Sequence, residues 1–307
     1  MTSGRWATPA AGAVVWALVA VAAAAGAGPS LIEVVLLLGP LVLVPLGLPL
    51  TRPPGGDGRA HALAERLALP GALLATAAVL VPRGAVLGGV LAGGWFVVAL
   101  LVATPAAIGW LRSPAFLAEP LARTAALVFL AVGATWLVID RLGLQPVGLD
   151  RDIVTLTAVH FHVAGFATST IAARTVAVTG PAALRTSAAA VAGIVLGPAM
   201  VAVGFAAFRP LQLAGAVVLT GGIYLLAWLL VRHARPDHAA ARRLLVLAAV
   251  VVIAPMVLAV QWAAGSVLGT PALGIPTMAR THGLANAFGF ALPGLVAWSL
   301  VAGQPAD

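Results

Sequence analysis

The residues best suited to chemistry are three histidines, one asparagine and one glutamate set among apolar neighbours. His160 and His162 lie in DIVTLTAVHFHVAGFATST, and His282 and Asn286 lie in ARTHGLANAFGFALPG, where Asn286 is the sole Asn of the chain. His160 is nine residues past Arg151, which puts it about 13 Å along a helix and near the middle of a membrane core of ~30 Å. Ionisable groups at such depth are costly and are functional candidates by default. Residues two apart on a helix diverge by about 200°, so His160 and His162 face opposite sides and do not readily share one metal. Each would need a partner from another helix, and His282 is the available one. His282 and Asn286 are four apart, hence on one helical face, where the amide can orient the imidazole tautomer or hold a substrate carbonyl. Glu33 stands in an apolar run with no Arg nearby in sequence, and a lone carboxyl there favours its protonated form and could act as an acid. The catalytic candidates are therefore His160, His162, His282, Asn286 and Glu33, with His160, His162 and His282 also the candidate metal ligands.

The elements that must carry these residues are membrane spans. Across 307 residues, 62% are hydrophobic and 8% charged, against roughly 25% charged in soluble domains. That excludes a soluble enzyme, a nucleic-acid-binding domain and a disordered scaffold. Ten apolar runs are expected, at roughly 7–28, 31–50, 67–82, 85–111, 120–139, 153–173, 186–208, 210–231, 244–262 and 280–302. They predict an all-α polytopic bundle forming one transmembrane domain over 1–307, with no soluble domain. The third run is short, and could form a hairpin with the fourth or lie partly in the interface. The first is too long for the apolar region of a cleaved signal peptide.

The net charge of +8 comes entirely from Arg, since there is no Lys. With a cytoplasmic N-terminus, the inner segments hold Arg5, Arg52, Arg59, Arg66, Arg112, Arg123, Arg174, Arg185, Arg232, Arg235, Arg242 and Arg243. The outer ones hold only Arg83, Arg141, Arg151, Arg209 and Arg280. This asymmetry predicts both termini in the cytoplasm, and the Arg-rich stretch 232–243 reads as an inner loop. Zero Cys removes disulfides, thiolate metal sites and a cysteine nucleophile. The Ala, Gly, Val, Leu and Arg bias resembles proteins of GC-rich bacteria, so the expected location is the bacterial cytoplasmic membrane.

In this orientation the scarce polar residues gather on the extracytoplasmic half. Asp140, Asp152, Gln261 and Trp262 are the substrate-binding candidates, with local pairing to Arg141 and Arg151 the plainer reading for Asp140, Asp150 and Asp152. Glu65 and Glu119 lie inside, near Arg66 and Arg123. The segment 263–279, rich in Gly and Pro, could be a re-entrant lid. Spacings such as Gly84/Gly88 and Gly89/Gly93 suit close helix packing, as do Gly283 and Gly289. No Walker A loop, GxSxG, HExxH or GxGxxG before a helix is present.

At TAVHFHVAGF (157–166) and RTHGLANAFGFALPGLVAW (280–298) the chain resembles the YndJ-like family of bacterial integral membrane proteins. That resemblance implies that His160, His162, His282 and Asn286 occupy family motif positions, and it implies no agreed reaction. The tripeptide at 160–162 is also similar to the haem-ligand helix of haem–copper oxidases, although an adjacent His-His pair is missing. The expected function is a membrane-embedded enzyme acting on a lipophilic substrate by acid–base or histidine-ligated metal or haem chemistry. The alternative is a proton-coupled transporter or channel for a small or lipophilic solute. Haem, a divalent metal or no cofactor all fit three or four histidines, and the expected partners are membrane lipid and a lipophilic small molecule.

Overall fold

The computed structural model describes residues 4–53 and 58–302. Among these described residues are ten helices long and apolar enough to cross a membrane. They are α1 Trp6–Ala24, α2 Leu31–Thr51, α3 Arg59–Leu80, α4 Val86–Arg112, α5 Ala118–Arg141, α6 Arg151–Val178, α7 Pro181–Ala206, α8 Arg209–Arg232, α9 Ala239–Leu268 and α10 Ile275–Val301. No strand occurs among the described residues. The chain is an all-α, multi-pass integral membrane protein. Its contacts group it into two compact units, one of residues 1–114 and 124–167, the other of 115–123 and 168–307.

The third span departs from expectation by beginning at Arg59 rather than near 67. Its 22 residues give about 33 Å, enough to cross. Its polar first turns are tolerated because partners meet them. His61 is buried with its Nε2 3.4 Å from the Thr51 hydroxyl. Glu65 accepts a 2.8 Å bond from Arg52 Nε, not from the adjacent Arg66. That bond raises the Arg52 guanidinium above its ordinary value.

In the first unit α2 is central. Its sequence LIEVVLLLGPLVLVPLGLPL has no polar face, the pattern of a helix surrounded by protein, and 83% of its apolar window is buried against 11% for α1. Pro40, Pro45 and Pro49 remove backbone donors. The helix answers with a π-turn at Gly39–Leu43 and a tightened last turn at Leu48–Thr51. Trp16 of α1 donates its indole N–H to the Val34 carbonyl at 2.8 Å. Helices α3 and α4 form a hairpin whose turn bends at Gly84, φ +89°. The Gly84 N–H donates to the Arg141 carbonyl at 2.9 Å, which ties this turn to the end of α5.

In the second unit α7 and α8 pack backbone to backbone. A Cβ at Gly193 would lie 2.8 Å from Gly222 Cα, and one at Gly197 2.6 Å from Leu219 Cβ. The small-residue contact expected at Gly84/Gly88 and Gly89/Gly93 is thus displaced. Gly84 serves its turn, nothing approaches Gly93, and only Gly89 presses on a neighbour, Leu142. Helix α9 is interrupted at Val252, where Pro255 cannot donate to the Val251 carbonyl. Gly289 of α10 meets Val251 there, whereas Gly283 has only an ordinary contact with the Met278 carbonyl. The proposed lid over 263–279 is not a separate element. Residues up to Leu268 continue α9, Gly269 ends it in the left-handed conformation, and α10 begins at Ile275. The short connection folds back on α9, with Gln261 Nε2 donating to the Pro271 carbonyl at 3.4 Å.

Candidate functional site

The histidine pair of α6 divides as its spacing requires. His160 is exposed and His162 wholly buried, and each ring bonds through Nδ1 to the carbonyl four residues earlier, Leu156 at 2.7 Å and Ala158 at 2.8 Å. A π-turn over Phe161–Ala167 begins directly after His160, a distortion common at functional sites. The fate of His162 is decided by Trp95 of α4, whose Nε1 is 3.0 Å from His162 Nε2. Indole only donates, so Nε2 accepts and the proton lies on Nδ1, which donates to Ala158. Both nitrogens are used. Gly39 and Gly133 make room for the ring. A Cβ at Gly133 would lie 2.8 Å from His162 Nδ1, and one at Gly39 2.8 Å from His162 Cβ.

His282 and Asn286 meet in the second unit. His282 Nδ1 donates to the Pro255 carbonyl at 2.7 Å, and the Asn286 amide nitrogen is 3.3 Å from His282 Nε2. Gln261 is exposed and supports the 269–274 connection. Trp262 stacks obliquely on Phe205, centroids 5.9 Å apart, and Arg209 lies over Phe205 at 5.3 Å. Among the described residues no group of three or more His, Asp or Glu could hold a metal. Both ring nitrogens of His162 are already taken by Trp95 and Ala158.

The charged residues converge instead. Glu33, at the head of α2, is not the lone carboxyl that its neighbours in sequence suggested. Its Oε1 accepts from Arg141 Nη2 at 2.8 Å and from Arg83 Nη2 at 2.9 Å. Its Oε2 accepts from the Ser30 N–H and hydroxyl, each at 2.9 Å, which forms a capping box that starts the helix. Asp140 bonds Arg141 through Nε at 2.6 Å and also through Nη2, and it accepts from Thr155 at 2.7 Å. Arg83 Nε stands 3.3 Å from Asp140 Oδ1. Two guanidiniums thus face two carboxylates, drawn from α2, the α3–α4 turn and α5, with Thr155 of α6 beside them.

Of these groups, Glu33, Arg83, Arg141 and Thr155 line a cleft of about 460 Å³ together with Asp152, with Val79 and Leu80 as apolar wall, and Asp140 lies behind Arg141. Asp152 stands exposed at the rim of the cleft. Of the expected site residues, Glu33, Asp140 and Asp152 come together here. Of the plainer pairings, Asp140 with Arg141 holds, as does Glu119 with Arg123 at 3.1 Å.

Sequence reasoning named Arg141 only as a local partner of Asp140, and it missed Arg83, Thr155 and Trp95 as site residues. A signal existed for Arg83 and Arg141, which are two of the five Arg assigned to the outer segments. Thr155 and Trp95 have none, because Thr and Trp are ordinary in such helices.

Residues 34–290 match the model of the YndJ-like protein family. The chain belongs to the YndJ-like family. Among curated proteins and among solved structures nothing matches it. The matched stretch contains Arg83, Asp140, Arg141, Asp152, Thr155 and the histidines, and it starts one residue after Glu33. The family match by itself carries no reaction.

Proposed function

We propose that this YndJ-like chain is a proton-coupled carrier for a small or lipophilic solute, which binds at the charged cleft of the first unit. The observation that carries the reading is the convergence of Glu33, Arg83, Asp140 and Arg141 beside an open cleft. Charged groups at the end of a membrane bundle need mutual pairing, and a pairing that borders a cavity can be exchanged for pairing with a solute. The Arg asymmetry supports an extracytoplasmic opening in a bacterial cytoplasmic membrane. Glu33 would supply the titrating group, since protonating it weakens its hold on Arg83 and so links proton and solute occupancy.

The test is flux into phosphatidylcholine proteoliposomes that enclose a pH-sensitive dye. Decanoate, acetate, choline and neutral amino acids are offered under an imposed pH gradient. Protein-dependent proton movement is expected with at least one solute, and its loss is expected in Arg83→Gln. Full flux in that variant, or none with any solute, overturns the reading.

The enzyme reading retains one observation in its favour, the His282–Asn286 contact of the second unit. An acid–base role there predicts that His282→Ala abolishes turnover of a lipid substrate while leaving cleft-dependent flux intact.

A further inference from the structure

The four charged groups of the cleft are not equivalent, and the difference selects the charge of the ligand. Arg141 lines its inner side with Asp140 bonded behind it, their side chains 2% and 0% exposed, whereas Arg83 and Glu33 are 23% and 13% exposed. Arg141 is committed on every nitrogen, to Asp140, to Glu33 and, through Nη1 at 3.3 Å, to the Val79 carbonyl. Asp140 is held from three sides, by Arg141, Thr155 and Arg83.

Between the two outer groups the asymmetry is one of unused capacity. Glu33 accepts four hydrogen bonds, two on each oxygen, which fills a carboxylate. A cation entering the cleft would find no lone pair there without expelling a guanidinium or opening the helix cap. Arg83 is different. Its buried Nε faces Asp140 Oδ1 at 3.3 Å without hydrogen-bonding geometry, and its one hydrogen bond to a carboxylate is the 2.9 Å contact with Glu33. A buried donor left unsatisfied is costly, so an acceptor offered to Arg83 is favoured. If Arg83 turns from Glu33 to such an acceptor, Glu33 keeps Arg141 and Ser30, and no carboxylate is stranded. Asp152 at the rim opposes a second negative charge. The apolar wall of Val79, Leu80 and Ile32 suits a short alkyl chain.

We infer that the cleft takes a solute with a monoanionic head group, which Arg83 binds in exchange for Glu33 while Arg141 and Asp140 stay fixed. The inference rests on the carrier reading of this cleft and adds the charge class and the exchanging residue. Arg83 is the ligand-binding group, and Glu33 is its internal competitor.

The test is equilibrium binding of radiolabelled decanoate to the full chain in phosphatidylcholine nanodiscs, above the uptake of empty discs. Saturable binding is expected. Arg83→Gln should weaken it by at least about tenfold, and Glu33→Gln should strengthen it by about tenfold, the scale of one charge-assisted hydrogen bond gained or freed. Gln serves at this position of a capping box, so α2 keeps its start, and an unchanged elution volume and melting temperature verifies that each variant is folded. Decyltrimethylammonium should not compete. Competition by acetate marks recognition of the head alone, and its absence marks an amphiphile; either accords with the exchange. Competition by decyltrimethylammonium, weaker binding in Glu33→Gln, or unchanged binding in Arg83→Gln overturns the inference. The two readings fail separately. A cationic solute carried through an Arg83-dependent cleft sinks the anion assignment and leaves the carrier, while anion binding without flux does the reverse.

Discussion

Two polar places in the first unit solve the problem of a buried polar group in opposite ways. The His162 pocket is neutral and closed: one indole N–H in, one imidazole N–H out to a carbonyl, and glycines on two sides that leave no spare volume. The Arg83 cleft is charged and open, with one carboxylate shared between two guanidiniums and one buried N–H that faces Asp140 without a hydrogen bond. Both are expensive to desolvate, but only the second can change partners without leaving a buried group stranded. Under the proposed reading, the contrast is between Arg83, whose hydrogen bonding is incomplete and which exchanges partners, and His162, which is saturated and acts as a fixed point of packing.

Substitutions at the two places should therefore separate stability from binding. The largest expected effect is Arg141→Gln, which strips Asp140 of its main partner at full burial. Loss of one member of a buried pair costs about 3–5 kcal/mol, read as a collapse of the melting temperature or of folded yield. A stable Arg141→Gln protein would show that the inner side of the cleft is not fixed. Next is Trp95→Phe, which leaves His162 Nε2 buried without a donor. A destabilisation of about 1–3 kcal/mol is expected, with decanoate binding unchanged, and altered binding in this variant would merge the two places into one system. Gly133→Ala should act similarly, since overpacking costs roughly 1–3 kcal/mol, and the same melting assay checks it. Arg83→Gln inverts the pattern, with a stability change under about 1 kcal/mol for a partly exposed ion pair but loss of binding and flux. The smallest effect is expected for Glu65→Gln, whose partner Arg52 is half exposed. A change below about 1 kcal/mol that shrinks further in high salt is the expected outcome.

Much of the fold is legible in the residues alone. The ten apolar runs and the opposite facing of His160 and His162 follow from length, periodicity and helical angle. The beginning of the third span is harder to read. Arg59, His61 and Glu65 look like loop until Thr51 and Arg52 are known to meet them. The segment 263–279 misled for the converse reason, as its Gly and Pro content suggests a loop although Pro276 lies in the first turn of a helix, where it is tolerated.

The candidate site was half legible. Glu33, Asp140 and Asp152 stand out as rare acids, yet Glu33 appeared isolated because its partners lie 50 and 108 residues away. The histidines stood out more and are less free, because the indole that saturates His162 is 67 residues distant.

The sequence by itself determined the solvent of this protein, its number of spans and which residues would be costly within them. These are one-dimensional properties, set by transfer free energy and by the rise of a helix. Tertiary structure alone decided which costly residues are paired and which retain a donor without a hydrogen bond. Pairing depends on distances of about 3 Å between groups far apart in the chain, and hydropathy carries no record of them.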